Sequence, residues 1–378
     1  MATTTRSAEC TPVMTMPLFL AFELGSKRWN LACAVTHRVR PRTRSIAAGD
    51  LAAVSQEIAK AKMRFGLEAA APVRSCYEAG RDGFWLHRAL LAQGIVNVVV
   101  DPASIAVDRR QRRAKTDRLD ASALVRQLMN AVAGDRRGWR EVRVPSVEAE
   151  AERQLQREWD AVLEDRKRLR NRIQALLVLH GVTLPLTRGF AQRLATARVW
   201  DGSALPSALI ARLTRDWTQL RQVEARLGTI RRARHGRIRA ADRIGQQAQR
   251  LMQLRAIGEN GALTLTTELF SWRAFRNGRQ IGAIVGLTPT PFRSDQTVRE
   301  LGISGSGNRR LRALSVELAW GWLRWQPHSA LSRWFAARFG AHGRARRIGI
   351  VAVARKLLIA LWRYLESGIV PEGATLRA

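Results

Sequence analysis

Four acidic residues stand where acids can do chemistry. Glu23 ends the apolar run Leu18-Phe-Leu-Ala-Phe-Glu-Leu-Gly, Glu78 ends a second run, Val73-Arg-Ser-Cys-Tyr-Glu-Ala-Gly, and Asp117 and Asp120 lie in Lys115-Thr-Asp-Arg-Leu-Asp-Ala. Thr116 can cap a helix there, and a three-residue spacing puts both aspartates on one face of it. The two apolar runs read as strands, so the four carboxylates are expected to converge at one edge of a sheet. Such a set suits magnesium, or manganese in its place, because a hard cation takes oxygen ligands, keeps several waters and needs only a few carboxylates to be held against a phosphate. Taken singly, Asp117 and Asp120 have a plainer reading, as acids favoured by the positive end of a helix dipole. The histidines, His37, His87, His180, His235, His328 and His342, and the cysteines, Cys10, Cys33 and Cys76, are dispersed without ligand spacing. That pattern removes zinc sites, a Ser-His-Asp triad and a paired disulfide framework, and it leaves the thiols reduced.

The elements that must position these acids belong to a chain of 378 residues with 64 lysines and arginines against 31 aspartates and glutamates. A net charge of +33 attracts polyanions, and nucleic acid is the first partner to consider. A membrane would attract the same charge, but no run of about 18 uninterrupted apolar residues and no signal-peptide pattern is present, so a cytoplasmic protein is expected. At 46% hydrophobic residues the chain has enough apolar surface for two or three packed domains.

The pattern divides the chain into four parts. Residues 1–17 lack periodicity and read as a flexible leader, with Met14 or Met16 as alternative starts. Over 18–145, apolar runs at 18–24, 29–36, 73–77 and 95–100 alternate with amphipathic stretches at 51–65 and 83–93, which predicts an α/β domain with a mixed sheet. Over 146–248, Leu155, Val162, Leu169 and Leu176 recur every seven residues, and Leu213, Leu220 and Leu227 repeat that spacing after a break at Gly181 to Pro206. The spacing predicts a helical coiled-coil region, either a hairpin within the chain or a seam between protomers, with two ordinary bundle helices as the plainer reading of so few repeats. Residues 249–378 read as a helical domain interrupted by a Gly/Pro/Ser-rich stretch at 286–308. Its tryptophans, Trp272, Trp320, Trp322, Trp325, Trp334 and Trp362, are expected mostly in the core, with one or two left to stack on bases. The fold class is thus α/β plus all-α.

Two ordered sets of motifs carry a resemblance. Glu23 with Gly25-Ser26-Lys27, the Glu78-Ala-Gly turn and the Lys-Thr-Asp-Arg-Leu-Asp-Ala segment resemble the DEDD domain of the IS-one-ten family of transposases. The segment Phe275 to Ser294, with its Gly-Leu-Thr-Pro core, and Gly302-Ile-Ser-Gly-Ser-Gly-Asn-Arg-Arg-Leu-Arg resemble that family's serine domain. The resemblance runs from Leu18 to Ala374 and implies a RuvC-like, ribonuclease H-like first domain with Glu23, Glu78, Asp117 and Asp120 as metal ligands. It implies Ser294 as a nucleophile that joins the protein to DNA, completed by the acids in a composite site across protomers. Arg293, Arg299, Arg309, Arg310 and Arg312 would hold the scissile phosphate and its neighbours through fork-shaped hydrogen bonds. The family also implies a structured noncoding bridge RNA, element ends and target as DNA partners, a homodimer or homotetramer, and a place at the bacterial nucleoid. Three positions depart from the pattern: Glu23 stands for an aspartate, Asp295 for a glycine and Gly305 for a lysine. Asp295 beside the nucleophile either repels phosphate or serves as a base. A glycine turn at Leu254-Arg-Ala-Ile-Gly-Glu-Asn-Gly-Ala presents amides that can meet a phosphate or simply joins two helices. Two rivals share these features: a junction nuclease using the acids and water, and a non-catalytic nucleic-acid-binding descendant of a transposase.

Overall fold

The computed structural model describes residues 16–105, 117–294, 297–340 and 343–377, with residues 103, 117–119, 290–294 and 297–301 described by backbone only. Most of the expected leader lies outside the described residues. The chain divides into two units, Met1–Val144 and Pro145–Ala378.

The first unit is built on a five-stranded sheet of β1 (Leu18–Leu24), β2 (Arg28–Ala34), β3 (Arg42–Ala47), β4 (Val73–Glu78) and β5 (Val96–Val100), in the order β3-β2-β1-β4-β5. β1 to β3 are antiparallel neighbours, whereas β4 pairs parallel with β1 and with β5. A strand buried on both faces must be apolar throughout, and β1 divides its residues accordingly. Leu18, Leu20 and Phe22 pack with Val54, Ile58, Leu86 and Leu90 of α1 (Leu51–Arg64) and α2 (Trp85–Ala92). Phe19 and Ala21 pack with Ala121, Leu124, Val125 and Leu128 of α3 (Asp117–Val132). The mixed sheet expected over 18–145 is present. β3 adds a strand that no apolar run announces: at the sheet edge only Ile46 of its residues is buried, and Arg42 is held instead by an ion pair to Glu57 at 2.6 Å.

In the second unit α4 (Val147–Val178) and α6 (Ser207–Arg239) form an antiparallel hairpin, with α5 (Phe190–Thr196) packed by Phe190 on Trp217 at the closed end. The direction follows from the cross-links, since Glu152 meets Arg237, Glu158 meets Arg226 and Arg172 meets Asp216. Leu213, Leu220 and Leu227 are buried, as are Val162 and Leu169, so the heptad seam is closed within the chain. Leu155 and Leu176, at its ends, are half-buried.

The remaining helices, α7 (Arg243–Gln253), α8 (Glu259–Leu265), α9 (Gly278–Val285), α10 (Arg309–Trp325), α11 (Ala330–Phe339) and α12 (Arg344–Ser367), enclose one apolar core. Among the six tryptophans of this region only Trp322 is fully buried. Trp272, Trp334 and Trp362 are half-buried, and Trp320 and Trp325 are exposed. Trp334 and Trp362 pack against the core that holds Trp322, and the two left outside are set by the amphipathic α10: Trp322 shares a face with the buried Leu311, Ser315, Leu318 and Ala319, and Trp320 and Trp325 lie off that face. The stretch 286–308 also differs from an open break. It forms a hairpin of β6 (Pro289–Ser294) and β7 (Thr297–Ile303), in which Pro289 and Pro291 are tolerated because β6 has a single partner and its register shifts between them. No helix among the described residues is long and apolar enough to cross a membrane.

A carboxylate joins the coiled coil to this core. Glu268, in a π-helical turn (Thr266–Phe270) after α8, has 1% of its side chain exposed. It accepts hydrogen bonds from Arg157 Nε at 2.8 Å and Arg310 Nη1 at 2.9 Å, and Arg153 Nη1 lies 3.8 Å away. Removing the charge would take the buried Arg153 guanidinium's carboxylate away and cost Arg157 and Arg310 a charged acceptor. Glu268→Gln is therefore expected to cost about 3 kcal/mol of stability, measured by urea unfolding; a loss below about 1 kcal/mol would show that the network holds nothing together.

Candidate catalytic site

In the first unit the acids are placed by strand pairing. Phe22 of β1 stands opposite Tyr77 of β4 in parallel register, so Glu23 and Glu78 follow at matching positions at the carboxyl ends of neighbouring strands. Side chains alternate along a strand. Phe19, Ala21 and Cys76 belong to the face covered by α3, which assigns Glu23 and Glu78 to that same face. Both acids are half-buried. Gly25, two residues after Glu23, turns the chain from β1 into β2; its N–H donates to Arg28 O at 3.1 Å, and a Cβ there would lie 2.5 Å from that oxygen.

Asp117 opens α3 and Asp120 lies in its first turn, half-buried. One turn further on, the Leu124 carbonyl is 4.0 Å from Cys76 Sγ, two residues before Glu78. Glu23, Glu78 and the helix bearing Asp120 thus share one face. The side chain of Asp117 and the Thr116 cap lie outside the described residues. Among the described residues no three His, Cys, Asp or Glu side chains form a metal-holding group. Magnesium commonly asks a protein for only one or two carboxylates, the phosphate and waters supplying the rest, and the oxygen donors of Glu23 and Glu78 fit that demand. The thiols do not compete. Burial pushes Cys33 up to about 12, and burial followed by the nearby Glu78 charge holds Cys76 well above its ordinary value. Both are free, buried and protonated near neutrality.

In the second unit the serine hairpin grows from a clamp between α9 and α10. α9 ends at Gly286, whose φ of 71° is left-handed and whose Cβ, if present, would lie 1.9 Å from Ser306 O. Gly307, at φ 99°, approaches Ile284 O in the same way, leaving a Cβ only 2.3 Å. Asn308 N–H donates to Ile284 O at 2.9 Å, its side chain accepts from Leu311 N–H at the start of α10, and Arg312 Nη1 donates to Val285 O. Ser304 N–H donates to Thr288 O across the root of the hairpin. Ser294 is the last residue of β6, opposite Thr297, while Arg293 pairs with Val298 and Arg299 with Phe292. Asp295 lies outside the described residues.

The five arginines therefore occupy different situations. Arg293 and Arg299 flank the serine along the hairpin backbone, and Arg309 is exposed in the first turn of α10. Arg310 donates to Glu268 and to the Gln156 carbonyl and pairs with Asp160, so its guanidinium is taken up inside the protein, joining α10 to α4. Arg312 gives one nitrogen to the clamp. Sequence reasoning gave no role to Glu268 or Asn308. An acid inside Thr264-Leu-Thr-Thr-Glu-Leu-Phe and an asparagine just before a helix were the available signals.

Residues 248–332 match the family described as transposase IS116/IS110/IS902. A putative transposase, y4rJ, of Sinorhizobium fredii is 38% identical over 375 residues, covering 95% of this chain and 94% of its own. The chain belongs to the IS116/IS110/IS902 transposase family. The transposase for insertion sequence element IS1111A of Coxiella burnetii is 25% identical over 282 residues, 74% of each chain. The transposase for insertion sequence element IS1328 of Yersinia enterocolitica is 28% identical over 218 residues, 57% of this chain and 63% of its own. In this transposase the family-matched segment runs from α7 through the clamp, the serine hairpin and α10 into α11.

The clamp makes a differential prediction. Gly286→Ala must displace the Ser306 carbonyl and is expected to cost about 2–3 kcal/mol. Gly202→Ala, at φ 85° with nothing within 4 Å of its Cβ, should lose only about 1 kcal/mol of left-handed strain. Thermal unfolding of both variants decides it, and equal losses would contradict the clamp.

Proposed function

We propose that this transposase cuts and rejoins DNA through a covalent serine intermediate, with Ser294 as the nucleophile and Glu23, Glu78, Asp117 and Asp120 as the ligands of magnesium, for which manganese can substitute. The observation that carries the reading is the rooting of Ser294: it ends a strand anchored by the α9–α10 clamp, with Arg293 and Arg299 beside it on the hairpin and Arg309 exposed at the start of α10. The strand order β3-β2-β1-β4-β5 and the shared face of Glu23 and Glu78 support a ribonuclease H-like, RuvC-like first unit.

In this reading the Ser294 hydroxyl oxygen attacks the scissile phosphorus. The Oγ–P bond forms as the bond from phosphorus to the leaving strand breaks; the serine proton passes to a base or water, and the departing oxygen is protonated. The phosphoserine ester conserves the energy of the bond that was broken, so a hydroxyl of the incoming strand can attack it, restore a phosphodiester and release the serine. Glu23, Glu78, Asp117 and Asp120 would hold the magnesium, which when bound would offset phosphate charge and make the attacking hydroxyl easier to deprotonate. Arg293, Arg299 and Arg309 hold the phosphates on either side of the break.

The charge of +33 accommodates a second polyanion beside DNA, which supports a bridge RNA from the element's own flank as guide. A homodimer or homotetramer is the proposed assembly. The leucine seam is buried between α4 and α6 of one chain, so it is not the contact proposed between protomers.

The test is a recombination assay with full-length protein, magnesium, labelled DNA carrying the element's junction and RNA transcribed from its flank. Ser294→Ala is expected to abolish cleavage and joined product, and Asp120→Asn to lower both by about 100-fold or more. Cleavage that survives in Ser294→Ala but fails in Asp120→Asn would overturn the serine mechanism in favour of water as nucleophile.

A further inference from the structure

α10 carries a second surface roughly 17 Å along the helix from its start at the foot of the serine hairpin. Glu317, Trp320, Gly321, Arg324 and Trp325 follow the i, i+3, i+4, i+7, i+8 spacing of a single helix stripe. With Ala256 and Leu318 they line a pocket of about 350 Å³. Trp320 and Trp325 are 39% and 53% exposed, an unusual disposition for the largest apolar side chains. Cations accompany both rings: Arg324 lies over Trp325 at 5.2 Å and Arg346 over Trp320 at 5.3 Å. Arg255, Arg324 and Arg346 are all exposed.

Two features show that the pocket is built. Gly321 lies in the helix interior, where glycine is destabilising relative to alanine, yet a Cβ there would meet nothing closer than Ala256 O at 3.8 Å. A Cβ would fit there in ordinary contact, so packing does not demand a glycine; the lack of one leaves the stretch of helix between Trp320 and Trp325 without a side chain beneath the Ala256 carbonyl. The opposite wall is Ala256, a non-glycine residue at φ 84°, a strained conformation of the kind that gathers at ligand sites. Its neighbourhood is fixed by Gln326, whose Nε2 donates to Arg255 O at 2.9 Å and to Thr375 O at 2.8 Å.

We propose that this notch is a stacking site for an unpaired nucleobase of single-stranded DNA. Every base has a π-face that an indole can accept, and arginines beside the rings take the flanking phosphates. Glu317 on the rim repels phosphate and directs the backbone to the Arg255 and Arg324 side. The occupant is DNA because a transposase acts on DNA, and exchange of strands leaves bases unpaired; the inference rests on the family's action on DNA and not on the identity of the nucleophile.

Binding is measured with the full chain at fixed salt, using a short single-stranded oligodeoxynucleotide containing 2-aminopurine, the same sequence as duplex, and the same sequence as RNA. Trp325→Ala is expected to weaken single-stranded DNA binding about 5- to 100-fold and to abolish the quenching of 2-aminopurine, with duplex affinity unchanged. Gly321→Leu, which fills the notch and keeps both rings, should act alike, and Arg324→Gln should lower the salt slope by about one. Trp325 is largely exposed, so its variant remains informative if Gly321→Leu unfolds. Unchanged DNA binding in Trp325→Ala, or a loss confined to the RNA strand, would overturn the proposal. No strand is cut in this assay, so its outcome is independent of whether Ser294 is the nucleophile.

Discussion

Inside a protein core an ionised carboxylate persists only where partners replace its lost water, and the side chain of Glu268 is 1% exposed. Its partners come from two distant stretches of the chain: Arg153 and Arg157 from α4, and Arg310 from the first turn of α10. The long helical hairpin cannot move independently of α10 without taking from this carboxylate part of the charge that offsets its burial. α10 in turn begins where the clamp of Gly286, Gly307 and Asn308 roots the β6–β7 hairpin. One buried charge therefore sets the base on which Ser294 stands.

The first unit relies on a different constraint, the parallel pairing of β1 with β4. That register delivers Glu23 and Glu78 to matching positions, and alternation along the strands turns both toward α3. The small residues Ala21, Ala32 and Ala34 on that face let α3 approach the sheet closely, which places the helix turn bearing Asp120 over the same strands. Glu23 carries one methylene more than an aspartate would, and the sharp turn at Gly25 fixes where its strand ends.

Much of this was legible in the sequence. β1, β2, β4 and β5 are apolar runs between turn residues, and α1 and α2 show their periodicity; the strand-end position of Glu23 and Glu78 follows directly. β3 was not legible, because Arg42-Thr-Arg-Ser-Ile-Ala is an edge strand with one buried side chain and carries no apolar signature. The serine hairpin was hidden by Pro289 and Pro291, residues that argue against a strand unless it has a free edge. The leucine seam announced two paired helices, but only the tertiary cross-links decide that they pair within the chain. Arginines look alike in sequence, whereas Arg310 and Arg309, adjacent along α10, face a buried acid and solvent respectively. Which of the tryptophans stay outside the core was hidden for the same reason, since burial depends on helix face and not on residue type.

The measurement that bears most directly on the account is the chemical location of the bond between protein and DNA. Full-length protein is reacted with junction DNA, flank RNA and magnesium, denatured, treated with nuclease and protease, and its peptides are weighed and fragmented. The account predicts a nucleotide phosphoester on the peptide containing Ser294 and on that side chain. A phosphoester on another residue, or cut DNA with no modified peptide, would contradict it.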